Sequence, residues 1–341
     1  MASVTPRCSP GDLASLLEAL AVRVESATVE RHSIALTDYP GGPRPSSVVR
    51  LSGGGCSGLG ENVAFFEQDH ERFVAHVALW FGVLAGRERL KVGTALDTEG
   101  TPYERAAVEA ALIDLALRQA GLSLYDLTGV REASLHFAVS LAADPDPGAA
   151  IRRVRAEGFH GALKVDVDPT WDALAVEALA RDSNLAIFDF KGRGDDALAR
   201  RLAAAFPAAL FEDPPSGFEA LGAPSRISRD APLLDEAAVA AALSLGEFVN
   251  LKAPRMGGPS AVLRGLEHAL AQNAVASPPR AYLGGMFEIG VGRVQARQLA
   301  ALYCQSAPND LALNLSKPAI VRERAASPAL ILLDAPGFGA G

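Results

Sequence analysis

In the second half of this chain, short apolar runs end in acids and lysines, and that placement is where chemistry is to be sought. "GALKVDV" (161–167) carries Lys164 and Asp166 at its end, and "LAIFDF" (185–190) ends on Asp189, with Lys191 close behind. "AALFE" (208–212) ends at Glu212, "SRISRD" (225–230) at Asp230 and "EFVNLK" (247–252) at Lys252. Residues two apart on a strand point to one face, so Asp189 and Lys191 are expected side by side. Asp189, Glu212 and Asp230 come from three successive runs, and their carboxylates would converge. Three clustered carboxylates repel and cannot all ionise without a cation. An all-oxygen set with room for water and substrate suits Mg²⁺, with Mn²⁺ as the substitute. Lys252 would lie across from that cluster. A lysine desolvated near a metal has its pKa lowered and can act as a general base. The plainer readings are an acid that caps the next helix and a lysine whose stem packs while its head stays wet.

Elements that would hold these residues follow from the alternation around them. Eight apolar runs occur: 134–141, 161–167, 185–190, 208–212, 225–230, 247–252, 280–285 and 311–315. Amphipathic stretches separate them at 147–157, 171–181, 195–206, 236–245, 258–272 and 291–303. Strand then helix, repeated eight times, predicts an α/β protein with a closed parallel (β/α)8 barrel, a TIM barrel. Runs apolar on both faces fit strands covered on both sides. An open doubly wound sheet wants a glycine-rich turn after its first strand, and "VSLAADPDPG" is not one. The fourth unit has room only for a short helix near "SGFEALG". In such a barrel the chemistry sits at the C-terminal strand ends.

The first 130 residues read differently. "SATVERHSIAL" and "SSVVRLSGG" predict antiparallel strands, joined by the Pro/Gly-rich loop 37–47. Helices are expected over 69–84 and 102–120. The chain therefore divides into an α+β domain over 1–130 and a barrel over 131–317.

The bulk numbers bound the function. A chain of 341 residues, 49% hydrophobic and 21% charged, suits two globular domains. A net charge of −8 gives no electrostatic reason to bind nucleic acid or an anionic membrane. Cys8, Cys56 and Cys304 are scattered and odd in number, so no disulfide scaffold or thiolate zinc site is expected. No transmembrane run and no signal peptide are read, and a cytoplasmic protein is the expectation. The six histidines have no metal-ligand spacing. "GGGCSGLG" (53–60) reads as a hairpin turn rather than a phosphate loop.

Several segments together resemble the enolase superfamily, and within it the muconate-lactonising group of o-succinylbenzoate synthases, N-acylamino acid racemases and dipeptide epimerases. "SGLGENVAF" (57–65) resembles the GxGE segment of that family's capping domain, and "AALIDLALRQAGLSLYDLTG" the helix leading into its barrel. "ALFEDPP" is similar to the fourth-strand segment, "NLKAPRMGG" to the sixth, and "GGMFEIGVGR" (284–293) to the seventh strand of the synthase/racemase branch. "APGFGAG" resembles the closing segment that returns to the cap, so 318–341 would join the N-terminal domain. The resemblance implies Asp189, Glu212 and Asp230 as ligands of Mg²⁺ and Lys252 as the acid/base lysine. Gly285, Met286 and Glu288 would line the substrate, and Tyr39 and Arg44 would reach in from the cap loop. Glu288 reads equally as a cap of the following helix.

The implied reaction is abstraction of the α-proton of a small carboxylate through an enediolate. Dehydration of the o-succinylbenzoate synthase kind comes first. A racemase, epimerase or cycloisomerase is the alternative, or a diverged barrel that has lost two-lysine chemistry. The pattern departs from the family at three places. The second run ends Lys164-Val165-Asp166 where Lys-x-Lys is usual, the third Asp189-Phe190-Lys191 where Asp-x-Asn is usual, and the fifth Asp230-Ala231 where Asp-Glu is usual. Three readings stay open. Lys191 pairs with Asp166, or it replaces the missing lysine, or Lys164 is the catalytic one. The partner expected is a small molecule, with a homo-oligomer allowed.

Overall fold

The apolar runs become a parallel sheet in the computed structural model, which describes residues 5–34, 43–84, 86–96, 100–182, 184–218, 226–272, 279–312 and 328–339. Its strands are β1 Ala138–Leu141, β2 Ala162–Asp166, β3 Leu185–Asp189, β4 Leu210–Glu212, β5 Ile227–Arg229, β6 Phe248–Leu251 and β7 Ala281–Leu283. They pair in sequence order, and every pairing is parallel. Leu163, Val165, Ile187, Phe188, Phe211, Val249 and Leu251 are buried on one face or the other, as strands covered on both sides require.

The eighth position differs from the expected run. Asn309 and Asp310 make single parallel bridges to Phe137 and Gly284, and so close the ring between β7 and β1. Residues 313–315 of the expected strand lie outside the described residues. The first run is also divided. Glu132–Leu135 pairs antiparallel with Ala329–Leu332, and β1 begins only at Ala138. The break is fixed by His136, whose N–H donates to Gln305 O and whose carbonyl accepts from Asn309 Nδ2.

Four of the barrel helices start on aspartates. Asp146, Asp172, Asp195 and Asp235 each accept the N–H of the residue three further on, at the heads of Pro147–Ala156, Ala173–Leu179, Asp196–Ala205 and Glu236–Ser244. Those caps are not the acids at the strand ends, which leaves the strand-end acids to other partners. Of "SGFEALG" (216–222), where a short helix is expected, residues 219–222 lie outside the described residues.

In the N-terminal part, Ser26–Ile34, Arg44–Gly53 and Cys56–Asn62 form an antiparallel sheet. Arg44 is thus the first residue of a strand rather than part of a loop. "GGGCSGLG" turns at Gly54–Gly55, both at positive φ, and continues into a third strand that its glycine content concealed. Those glycines have a use. A Cβ on Gly60 would stand 1.9 Å from Ala107 O and one on Gly58 2.3 Å from Ala111 O, so the strand lies directly on the helix Pro102–Ala120. That helix fills the expected span 102–120, and the structure caps it with a Thr101–Glu104 capping box and with Gly121 in the left-handed conformation. Glu67–Leu84 also forms, and Pro10–Ala19 is a helix the hydrophobic pattern did not single out.

One buried cluster runs from the N-terminal sheet through Ala107, Ala111 and Leu115 to Val249, Leu251 and Leu283 of the barrel. A second fills the side of β1 to β4 around Phe188, Phe190 and Phe211. Among the described residues no helix is long and apolar enough to cross a membrane.

Candidate active site

Strand register brings the charged ends to one level. Asp166 is paired with Asp189 across β2 and β3, and Asp189 with Glu212 across β3 and β4. Like charges side by side on neighbouring strands are unfavourable, so cations must stand between them. Lys164 does so. Its Nζ lies 2.5 Å from Glu212 Oε1, 3.1 Å from Asp310 Oδ2 and 3.2 Å from Asp189 Oδ2. Lys191 Nζ lies 2.8 Å from Asp189 Oδ2 and 3.0 Å from Asp166 Oδ1. Lys252 Nζ is 2.7 Å from Asp230 Oδ2, and Arg255 Nη1 is 2.5 Å from Asp230 Oδ1. Four cationic groups thus face five carboxylates.

The strand-end geometry of Lys191 was not expected. β3 stops at Asp189, and Lys191 takes a left-handed backbone conformation, φ 50°. That turn carries the ammonium back to Asp189 and Asp166. Such a conformation in a non-glycine residue is costly and collects at functional sites. Lys191 is also the most accessible cation of the group, its side chain 46% exposed against 4% for Lys164 and 7% for Lys252.

Polar groups behind this layer complete it. Tyr282 OH donates to Glu212 Oε2, and Ser228 Oγ is 2.8 Å from that hydroxyl. Asn250 Nδ2 donates to Glu212 Oε2 at 3.2 Å, while its buried Oδ1 has no hydrogen-bond partner among the described residues. Ser140 Oγ donates to Asp310 Oδ1. Gly284 leaves room for the set, since a Cβ there would stand 2.3 Å from Asn250 Oδ1 and 2.5 Å from Lys252 Cε.

Charge in this layer follows from burial set against pairing. Burial works against the Lys164 ammonium, but Asp310, Glu212 and Asp189 outweigh it and hold its pKa well above the usual lysine value. Burial raises Asp189, and Lys164 and Lys191 more than reverse this, leaving it below the usual carboxylate range. Asp230 is lowered in the same way by Lys252, Lys164 and Arg255. Glu212, fully buried and close to Asp230 and Asp189, is pushed up to about 7 in spite of Lys164.

The three acids expected to hold a divalent ion therefore present no open oxygen. Asp189 Oδ1 accepts from the Lys191 N–H, and its Oδ2 from Lys191 and Lys164. Glu212 is filled by Lys164, Tyr282 and Asn250, and Asp230 by Lys252 and Arg255. Among the described residues no group of three or more His, Cys, Asp or Glu side chains is arranged to hold a metal. These residues do not fit the ion that the resemblance implies.

Of the remaining candidates, Gly285 and Met286 touch the charged layer, at Asp310 and Arg255, while Glu288 and Arg44 are engaged elsewhere. Gly285 N–H donates to Asp310 O. Met286 N–H donates to both Glu288 carboxylate oxygens, so Glu288 braces its own turn instead of capping the next helix. Burial pushes Glu288 up. The N-terminus of the helix Val291–Tyr303 is served by Glu61, which accepts from the N–H groups of Ile289, Gly290 and Gly292. Arg44 is buried beneath Phe65, 4.1 Å from the ring centre, and donates to Val63 O and Met286 O. It ties the N-terminal sheet to the seventh-strand turn. Tyr39 lies outside the described residues.

Asp310, Tyr282, Asn250, Ser228, Ser140 and Arg255 were not foreseen. A signal for two of them existed. Ser228 and Asn250 stand two residues before Asp230 and Lys252, on the same inward face.

Residues 131–315 match the family described as "Domain of unknown function (DUF8230) C-terminal domain", and residues 15–127 match its N-terminal domain. The chain belongs to the DUF8230 family. Its sequence is 27% identical over 292 residues to the N-succinylamino acid racemase of Thermus thermophilus, covering 77% of each. It is 26% identical over 282 residues to the o-succinylbenzoate synthase of Enterococcus faecalis, covering 75% of this chain and 76% of that one. The muconate lactonizing enzyme of Pseudomonas putida superposes with a TM-score of 0.71 at 18% identity, over 93% of this chain and 96% of that one. A dipeptide epimerase from Methylococcus capsulatus, complexed with Mg and the dipeptide L-Arg-D-Lys, superposes with a TM-score of 0.71 at 20% identity, over 93% and 99% of the two chains. The DUF8230 chain thus stands among the enzymes of the enolase superfamily, beside the muconate-lactonising group. Its fold is theirs, a modified TIM barrel with an N-terminal capping domain.

Proposed function

We propose that the barrel mouth removes the proton α to a carboxylate of a small substrate and eliminates water from it, in the manner of an o-succinylbenzoate synthase. The observation that supports this reading is the ring of Lys164, Lys191 and Lys252 at the ends of β2, β3 and β6, facing carboxylates on the strands between.

Lys252, once its ammonium has given up a proton to solvent, takes the α-proton. The electron pair left on that carbon forms the new double bond and expels the β-hydroxyl, which leaves as water with the proton returned by Lys252. One base on one face serves both proton steps, whereas racemisation needs a group on each face. That asymmetry favours dehydration over racemisation, because the second strand ends in Asp166. Asp166 orients Lys191, whose exposed ammonium receives the substrate carboxylate and offsets charge as it develops. Asn250 Oδ1, beside Lys252, accepts a hydrogen bond from the substrate. Mg²⁺ dependence is not part of the proposal, because Asp189, Glu212 and Asp230 are already filled by the chain's own donors.

The test is a paired assay of the purified chain with the substrates of its two named relatives. Formation of o-succinylbenzoate supports the proposal. Loss of optical activity from an N-succinylamino acid without elimination replaces dehydration by racemisation. No turnover of either substrate removes both as its reaction.

A further inference from the structure

We infer that the Lys164 ammonium is the resident cation of this barrel mouth, standing among the strand-end carboxylates in place of a divalent metal ion. Three carboxylates from three elements converge on it: Glu212 from β4, Asp189 from β3 and Asp310 from the eighth position. An ammonium has three N–H donors and no acceptor, so three carboxylate oxygens satisfy it completely. The group is 3% exposed and sits on a strand whose neighbours Leu163 and Val165 are fully packed. It is therefore held in place rather than swung in from solvent.

The surrounding donors fit the same arrangement. Glu212 Oε2 is occupied from the far side by Tyr282 and Asn250, and Lys191, Lys252 and Arg255 take up the other carboxylate oxygens. A divalent ion among Asp189, Glu212 and Asp230 would need several oxygens at about 2.0–2.1 Å. It would also lie within a few ångströms of the Lys164 ammonium, where two positive charges in a poorly screened site repel strongly. Such an ion would have to expel the Lys164 ammonium from a site where three carboxylates hold it. The mouth carries its positive charge covalently. This concerns what neutralises the carboxylates, and it stands whichever reaction the mouth performs.

The test is calorimetric titration of the full-length, EDTA-treated chain with MgCl₂ and MnCl₂, together with melting curves in EDTA and in excess Mg²⁺. We expect no saturable heat from either ion and the same Tm in both solutions. A Lys164→Met chain should melt lower than wild type in EDTA and gain Tm on addition of Mg²⁺, as three carboxylates left without their ammonium take up a cation. Saturable Mg²⁺ binding by wild type that disappears in Glu212→Gln would overturn the inference. So would a Lys164→Met chain as stable as wild type in EDTA, or one that folds and gains nothing from Mg²⁺. If Lys164→Met does not fold, the wild-type titration decides. Absence of turnover together with absence of metal binding removes the proposed reaction and leaves this inference in place.

Discussion

Asp166 and Lys191 meet across neighbouring strands, Oδ1 to Nζ at 3.0 Å, and the lysine reaches that contact only because its own backbone turns left-handed. The acid stands where the related pattern has a lysine, and the lysine stands one strand over. The pair leaves Lys191 partly in solvent, so an arriving carboxylate meets it first. Lys191→Met should therefore raise KM for a carboxylate substrate more than it lowers kcat. Steady-state kinetics separate the two, and a fall in kcat at unchanged KM would assign Lys191 to proton transfer.

Glu212 is hemmed in by donors on both oxygens. In Glu212→Gln the amide nitrogen must face either Lys164 Nζ or the Tyr282 and Asn250 donors, so a donor opposes a donor in either orientation. Removing one partner of a buried ion pair costs about 3–5 kcal/mol. Urea unfolding of the variant should show a loss of that order with the m-value unchanged. A loss below about 1 kcal/mol, the range of exposed pairs, would mean that Lys164 and Glu212 are not in contact.

Gly284 is predicted to be intolerant of a methyl group. In Gly284→Ala the new Cβ meets Asn250 Oδ1 at 2.3 Å and Lys252 Cε at 2.5 Å. Overpacking of this kind typically costs about 1–3 kcal/mol, which the fold would survive. Displacement of Lys252 should cost most of the activity. A variant that keeps full kcat would separate Lys252 from the reaction.

Glu109 supplies a pH dependence distant from the mouth. It accepts the Ser260 N–H at the head of the helix Pro259–Ala271, and burial pushes it up to about 7 from 4.5. A carboxyl raised in the folded state favours folding while it is protonated. Its contribution is complete below about pH 4.5 and is lost as pH rises through about 7. Glu109→Gln keeps an acceptor for Ser260 and removes the titration. The stability of the variant relative to wild type should therefore climb between pH 4.5 and pH 7 and level off above, which chemical denaturation at a series of pH values would show. A difference independent of pH would mean that Glu109 does not titrate in this range.

The legible part of this protein was whatever a local pattern controls. Apolar residues at helical spacing from Ala107 to Leu117 placed one helix over 102–120, and doubly apolar runs gave seven strands within a few positions of their ends. The strand-end residues Lys164, Asp166, Asp189, Lys191, Glu212, Asp230 and Lys252 do share one end of the barrel. What neutralises them was legible only in part: the contacts of Lys191 with Asp166 and Asp189 were among the sequence readings. The rest depends on Asp310, which lies just before the run read as a strand, and on the left-handed turn at Lys191, which no spacing rule anticipates. The third strand of the cap stayed hidden because Gly58 and Gly60 serve close packing against a helix, and glycine reads as a break in a strand pattern.

The most direct measurement is exchange of the α-proton of the carboxylate substrate in D₂O containing EDTA, followed by NMR, on wild type and on Lys252→Met. The account predicts exchange by wild type in the presence of the chelator and none by the variant. Equal exchange by the two chains would contradict it, as would exchange by wild type only when Mg²⁺ is restored.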